Sequence, residues 1–254
     1  MIEARELSAA IGGREVLTRA SIAARAGEIV GLIGPNGAGK TSLLRALLRL
    51  VAPTAGQVLL DGADITADPP HRHARAIAYL PQGQTVAWPL TVRRLVALGR
   101  APHRTAWSGL AAADEAAIER ALMVADAAGF AERPVTELSG GERARVLLAR
   151  ALAVEAPVLL ADEPMASLDP YHQLATVDAL KKVAADGAAV IVVLHDLGLA
   201  VRTCTRLCLM DRGRVVADGE PDAVLTDANL AAVYRVAARR GPAGDFAIGR
   251  RLDA

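Results

Sequence analysis

Residues 1–33 alternate apolar and polar side chains, with turn signals at Gly12-Gly13 and Ala26-Gly27, and so predict β-strands. The run Glu28-Ile29-Val30-Gly31-Leu32-Ile33 predicts a buried strand that leads into a glycine-rich stretch. Beyond it Leu43, Leu44, Leu47, Leu48 and Val51 recur at helical spacing, and Pro53 is expected to close that helix. Residues 58–62 read as a strand and turn, and 76–80 as another strand. From Gly83 to about Pro157 the chain is rich in Ala, Leu and charge and poor in β-branched runs, which predicts a mainly helical subdomain. Strand patterns return at Val158–Asp162, Ala189–Leu194, Arg206–Met210 and Val215-Val216, with a helical pattern over Gln173–Ala185. Residues 239–245 read as a turn between two short segments. Strands alternating with helices predict an α/β fold with a largely parallel sheet, here with an N-terminal antiparallel β portion. The expected organisation is one domain over 1–254. Residues 1–82 and 158–254 form its core, and 83–157 an inserted helical subdomain.

The 254 residues are 52% hydrophobic and 22% charged, which excludes a disordered chain. Twenty-nine basic and 28 acidic residues leave a formal charge of +1, so a dedicated nucleic-acid binder is not expected. Aromatics at 3% argue against a base-stacking platform. Two cysteines cannot build a disulfide framework, which points to a reducing compartment. No apolar run approaches the ~20 residues of a spanning helix, and the N-terminus has no signal-like apolar region. A soluble, cytoplasmic chain is expected, with any membrane contact made through a partner.

The glycine-rich stretch is Gly34-Pro35-Asn36-Gly37-Ala38-Gly39-Lys40-Thr41, which fits G-x-x-x-x-G-K-[ST] between a predicted strand and helix. That context defines a P-loop. Glycines let successive backbone amides converge on one point, and the helix N-terminus adds positive potential. Lys40 would hold β- and γ-phosphates, Thr41 a magnesium ion, and Ser42 another phosphate oxygen. In Val158-Leu159-Leu160-Ala161-Asp162-Glu163-Pro164 two carboxylates follow a buried strand, at the end where open α/β sheets bind ligands. Asp162 suits a magnesium ion held through water, and Glu163 suits polarisation of an attacking water. Leu138-Ser139-Gly140-Gly141-Glu142 contains a helix capping box, Ser139-x-x-Glu142, whose glycines open a second anion site at a helix start. Two phosphate sites facing one nucleotide suit two chains set head to tail.

P-loop, LSGGE and LLADEP, in that order, resemble the nucleotide-binding subunit of an ABC transporter, a P-loop NTPase with a RecA-like core. Tyr79-Leu80-Pro81-Gln82 resembles the family's Q-loop, Ser167-Leu168-Asp169 its D-loop, and His195-Asp196 its switch histidine. The resemblance implies ATP and Mg2+ as cofactors and an ATP sandwich dimer. Gln82 would touch the metal and the attacking water, and link the core to the helical subdomain. His195 would hold the γ-phosphate and orient Glu163. Ser139 and Gly141, with Gly140 and Glu142, would meet the γ-phosphate bound to the other copy, with Asp169 at the same seam. The family commonly stacks an N-terminal aromatic on adenine. Ile11 occupies that place here, so discrimination between ATP and GTP should be weak.

Thr91-Val92-Arg93-Arg94-Leu95-Val96-Ala97-Leu98-Gly99-Arg100-Ala101-Pro102-His103 resembles a stretch of ATPases that energise uptake of ferric siderophores, haem and cobalamin. This implies a subunit on the cytoplasmic face of the cell membrane, docked on two permease subunits through residues 83–104 and served indirectly by a substrate-binding protein. Arg93, Arg94, Arg100 and Arg104 are either part of that contact or a solvated helix face. An importer ATPase for another substrate, such as a metal ion, is the alternative. A soluble ABC-type ATPase acting on nucleic acid or ribosomes would typically insert coiled coils or duplicate the cassette, and this chain does neither. His71-x-His73 reads as an exposed helix start rather than a metal site, and Cys204 and Cys208 as core or interface residues.

Overall fold

The computed structural model describes residues 1–83, 86–105, 109–166, 168–240 and 246–251. Ser167 and residues 241–245 of the turn expected over 239–245 therefore lie outside the described residues, and positions 239 and 240 end a strand. The chain divides into two compact units, residues 1–70 with 189–254, and residues 71–188.

The first unit opens with strands β1 (Ile2–Ile11) and β2 (Arg14–Ala24), joined through Gly12 and Gly13. Both glycines have positive φ, 58° and 78°, as a two-residue hairpin turn with right-handed strand twist requires. Strand β3 (Ile29–Ile33) is buried along its whole length. Helix α1 (Lys40–Leu47) follows the glycine loop, and β4 (Pro53–Leu60) and β5 (Ala63–Asp64) come next. An antiparallel sheet runs in the order β2-β1-β4-β5, as the N-terminal alternation predicts. Pro53 does not close a helix; it opens β4, opposite Ala9. The helix has already ended, and Arg49 takes a left-handed φ of 62° that turns the chain. A proline is tolerated there because a first strand residue can forgo its ladder donor.

The second unit carries strand β6 (Ile77–Leu80), helices α2 (Val92–Ala97), α3 (Ala112–Val124) and α4 (Gly140–Leu152), strand β7 (Val158–Asp162) and helix α5 (Pro170–Ala185). β6 and β7 pair in parallel, from Ile77 opposite Val158 to Leu80 opposite Ala161. Helix α5 begins three residues earlier than its periodicity suggests, because Asp169 caps it and Pro170 occupies its first position. Arg100 is neither a solvated face nor a free contact. It is 5% exposed, and its guanidinium bonds Asp114 at 2.8 Å, the Ala153 carbonyl at 2.8 Å and Glu155 at 3.1 Å. Gly99 makes this approach possible, since a Cβ there would stand 2.2 Å from the Arg150 carbonyl oxygen. His103 Nε2 bonds the Val154 carbonyl at 2.8 Å, so the G-R-x-P-H stretch is a staple across the end of α4.

The chain returns to the first unit with β8 (Ala189–Val193), α6 (Leu197–Thr203), β9 (Arg206–Asp211), β10 (Arg214–Gly219), β11 (Val236–Arg240) and β12 (Phe246–Arg251). β3 lies in parallel between β8 and β9, and β10 runs antiparallel to β9. β3 and β8 are apolar throughout because both faces are covered, the usual state of parallel strands. Cys204 and Cys208 are both buried, as expected, and burial pushes the Cys208 thiol up. Among the described residues no helix is long and apolar enough to cross a membrane.

Candidate nucleotide site

In the first unit the glycine loop hangs between β3 and α1. Gly34, Gly37 and Gly39 take φ values of 147°, 80° and 101°, a region that side chains disfavour. Two of them are also crowded: a Cβ on Gly34 would lie 2.3 Å from the Met210 carbonyl oxygen, and one on Gly39 2.9 Å from that of Val16. Gly37 differs, with open space where its Cβ would stand. Lys40 is 6% exposed, and its ammonium donates to the Gly34 carbonyl at 2.7 Å and the Pro35 carbonyl at 3.0 Å. Helix α1 starts on Gly39 with no side-chain cap and no acidic residue in its first turn. Helices α2, α4, α5 and α6 are all capped by their own Thr91, Ser139, Asp169 or Asp196. The donors and positive potential at the start of α1 are thus left for a ligand, and an anion is what they fit. Thr41 and Ser42 stand half-buried in that first turn.

Two residues from far along the chain, Gly213 and Tyr234, stand against the loop. The Gly213 amide donates to the Ala38 carbonyl at 2.9 Å, and the Gly213 carbonyl accepts from Thr18 at 2.9 Å. Arg212 and Gly213 both have positive φ, so this β9–β10 turn has the two-residue hairpin form that its Arg-Gly pair permits. Tyr234 sets a buried phenol, pushed up by burial, beside the Gly34 backbone. Nothing local in the sequence ties positions 34 and 234. Ile11, at the end of β1, is 45% exposed. His195 is exposed immediately beyond β8, where Asp196 caps α6 by accepting from the Leu199 amide at 2.8 Å.

In the second unit Asp162 ends β7 and is 1% exposed. Glu163 follows with a left-handed φ of 53°, unusual for a residue with a side chain. Its Oε2 accepts from Gln82 Nε2 at 2.6 Å, so the two residues from the ends of β6 and β7 are brought together. Ser139 and Glu142 form the expected capping box: Ser139 Oγ accepts from the Glu142 amide at 3.2 Å, and Glu142 Oε2 from the Ser139 amide at 2.8 Å. That amide, with Arg133 nearby, holds the Glu142 carboxyl below the usual range. Asp169 caps α5 through the His172 amide at 3.0 Å, and this bond and the His172 ring hold its carboxyl low. His172 is a neighbour of Gly141 that the motifs did not single out.

A glycine loop closed on a buried lysine, at the mouth of an uncapped helix, defines a P-loop nucleotide-binding protein. Comparison with known proteins narrows the class. Residues 17–166 match the family described as ABC transporter, and the chain belongs to that family as an ATP-binding cassette. It is 50% identical over 224 residues to a hemin import ATP-binding protein of Nocardia farcinica, covering 87% of this chain and 76% of that one. It is 45% identical over 240 residues to a cobalamin import ATP-binding protein of Halobacterium salinarum, covering 93% of this chain. The match spans 60% of that longer relative. Among solved structures, an ATP-binding cassette captured as a dimer in a post-hydrolysis state with ADP and Pi superposes with a TM-score of 0.77. It is 28% identical, over 87% of this chain and 99% of that one.

Proposed function

We propose that the chain is the ATP-binding and hydrolysing subunit of an importer for an iron complex, haem or cobalamin. It would work head to tail with a second copy, on the cytoplasmic face of the cell membrane, docked on two permease subunits. The observation that carries this reading is the glycine loop with buried Lys40 before a helix that lacks a cap of its own. The names of the hemin and cobalamin import relatives support the cargo class, and the dimeric cassette supports the pairing.

Gly34, Pro35, Asn36, Gly37, Ala38 and Gly39 turn backbone toward the phosphate tail, Lys40 neutralises its β- and γ-oxygens, and Ser42 adds a donor. Among the described residues no cluster of three His, Cys, Asp or Glu could hold a metal by itself. Magnesium keeps several waters and takes few protein ligands beside phosphates. Thr41, Gln82 and Asp162 are the residues that would hold it. When bound, the ion would offset charge on the phosphate oxygens. Glu163 takes a proton from water as water oxygen bonds the γ-phosphorus and the bond to the ADP oxygen breaks. Gln82 holds the Glu163 carboxylate, and His195 orients it. Ser139, Gly140 and Gly141, steadied by Glu142, meet the γ-phosphate of the second copy, with Asp169 beside them. Trp88, Leu98, Arg94 and Arg104 are exposed in the 83–104 stretch and are the side chains offered to the permease; buried Arg100 is not.

Replacing Glu163 by Gln should leave ATP binding intact, lower hydrolysis by about a hundredfold or more, and trap an ATP-bound dimer. Hydrolysis at the parent rate would overturn the assignment.

A further inference from the structure

The first turns of α4 and α5 share a link that none of these roles uses. The His172 ring lies flat against Gly141: a Cβ there would stand 3.2 Å from ring atoms Cδ2 and Cγ and 3.3 Å from Nδ1. The ring is also held at its edge, with Nδ1 2.8 Å from both carboxylate oxygens of Asp169. A carboxylate can only accept, so Nδ1 carries the proton. The Asp169 Oδ1 that receives it also accepts the His172 amide at 3.0 Å, and the His172 carbonyl accepts from Thr176 Oγ1 at 2.9 Å. Tyr171 meets the ring edge-on, with centroids 5.4 Å apart. Backbone, carboxylate and aromatic edge together leave the imidazole one orientation, and its side chain is 21% exposed.

Gly141 has no side chain with which to hold a neighbour. The ring stands close enough to crowd a Cβ there, so it packs against the glycine from the Cα side. The Gly140 and Gly141 amides precede the first intrahelical donor, the Arg143 amide that bonds the Ser139 carbonyl at 2.9 Å, and remain available to a ligand. We propose that His172 is a positioning residue that locks the signature turn, Ser139–Glu142, to Asp169, so that both are presented to the second copy as one body. This rests on the sandwich-dimer reading above, because both ends of the link are groups that reading assigns to the neighbouring nucleotide.

The test uses the full chain carrying Glu163→Gln, with His172→Ala, His172→Phe or His172→Asn added. Phe keeps the flat face without the donor, and Asn keeps the donor without the face. Light scattering would give the ATP concentration at half-maximal dimer, and a fluorescent ADP analogue the affinity of the monomer. His172→Ala should raise the dimer midpoint about fivefold or more while monomer affinity stays within about twofold, with Phe and Asn between. An unchanged midpoint would sink this inference alone. So would a rise in midpoint matched by losses of monomer affinity and melting temperature, the mark of a merely structural residue. Failure of the Glu163→Gln chain itself to dimerise would sink the sandwich reading, and the inference with it.

Discussion

Two glycines of one loop should fail in different ways when each becomes alanine. At Gly34 a Cβ would stand 2.3 Å from the Met210 carbonyl oxygen, so the loop and β9 must part by at least 0.7 Å before the contact reaches 3.0 Å. Both partners are backbone, and neither can swing aside. Overpacking of this kind costs about 1–3 kcal/mol, and a side chain at positive φ adds about 1 kcal/mol. For a chain of this size that is a melting temperature lower by roughly 4–16 °C. At Gly37 the φ is 80° but the Cβ enters open space, so only the conformational part applies, about 1 kcal/mol or roughly 2–4 °C. The added methyl instead stands on the exposed rim where phosphate would approach, and nucleotide affinity should fall about tenfold or more. Scanning calorimetry without nucleotide and titration with a fluorescent ATP analogue separate the two effects. If Gly34→Ala melts within about 2 °C of the parent, the crowding argument is wrong. If Gly37→Ala binds ATP normally, the loop does not hold the phosphate tail as proposed.

Arg100→Ala removes the guanidinium's bonds in the α4 staple and takes from Asp114 its buried cation, so the melting temperature should fall by roughly 5–10 °C; a change near zero in a thermal scan would mean these bonds are redundant. Acid should destabilise the protein through carboxyls held low: Asp114 by Arg100, Glu142 by the Ser139 amide, and Asp169 by His172. A depressed folded value stabilises above the unfolded value and is lost as pH falls, so stability from these groups should hold above pH 4.5 and decline through 3.8 and below. Urea midpoints measured from pH 7 to pH 3 would show it, with a shallower acid limb in Arg100→Ala. Ile11 offers no aromatic face, so ATP and GTP should be hydrolysed within about threefold of each other, and Ile11→Tyr should favour ATP by roughly threefold to tenfold in competition assays.

What could be read in the sequence was chemistry written within a few residues. Three glycines before Lys40 forecast a loop whose amides could converge on one point, and each of them takes a positive φ, where few other residues go. Ser139-x-x-Glu142 forecast a capping box because both bonds close inside one helical turn. Buried β3, β7 and β8 were legible because their apolar runs have no polar face. The antiparallel hairpin at Gly12-Gly13 was legible from its turn. Pro53 misled, since a proline ends a helix and begins a strand equally well, and only the pairing with Ala9 decides.

The harder cases turn on partners far along the chain. The stretch from Thr91 to His103 looks at sequence level like a basic surface, and three of its arginines sit where charge would suit a docking partner. Spacing cannot tell a solvated arginine from one that bonds Ala153 and Glu155 more than fifty positions away, because the burial of Arg100 is a property of α4, not of its own segment. The same holds for His172, whose ring acquires a task only where Gly141 presents no side chain to it, and for Tyr234, whose phenol meets the loop two hundred residues earlier. A motif names the groups that touch a ligand, since those must be a given residue type. The groups that hold them still can be any type that fits, and fit is settled by packing. That is why the site's supports, rather than its contacts, are where the structure adds most, and why His172 and Arg100, not another P-loop residue, are the informative places to cut.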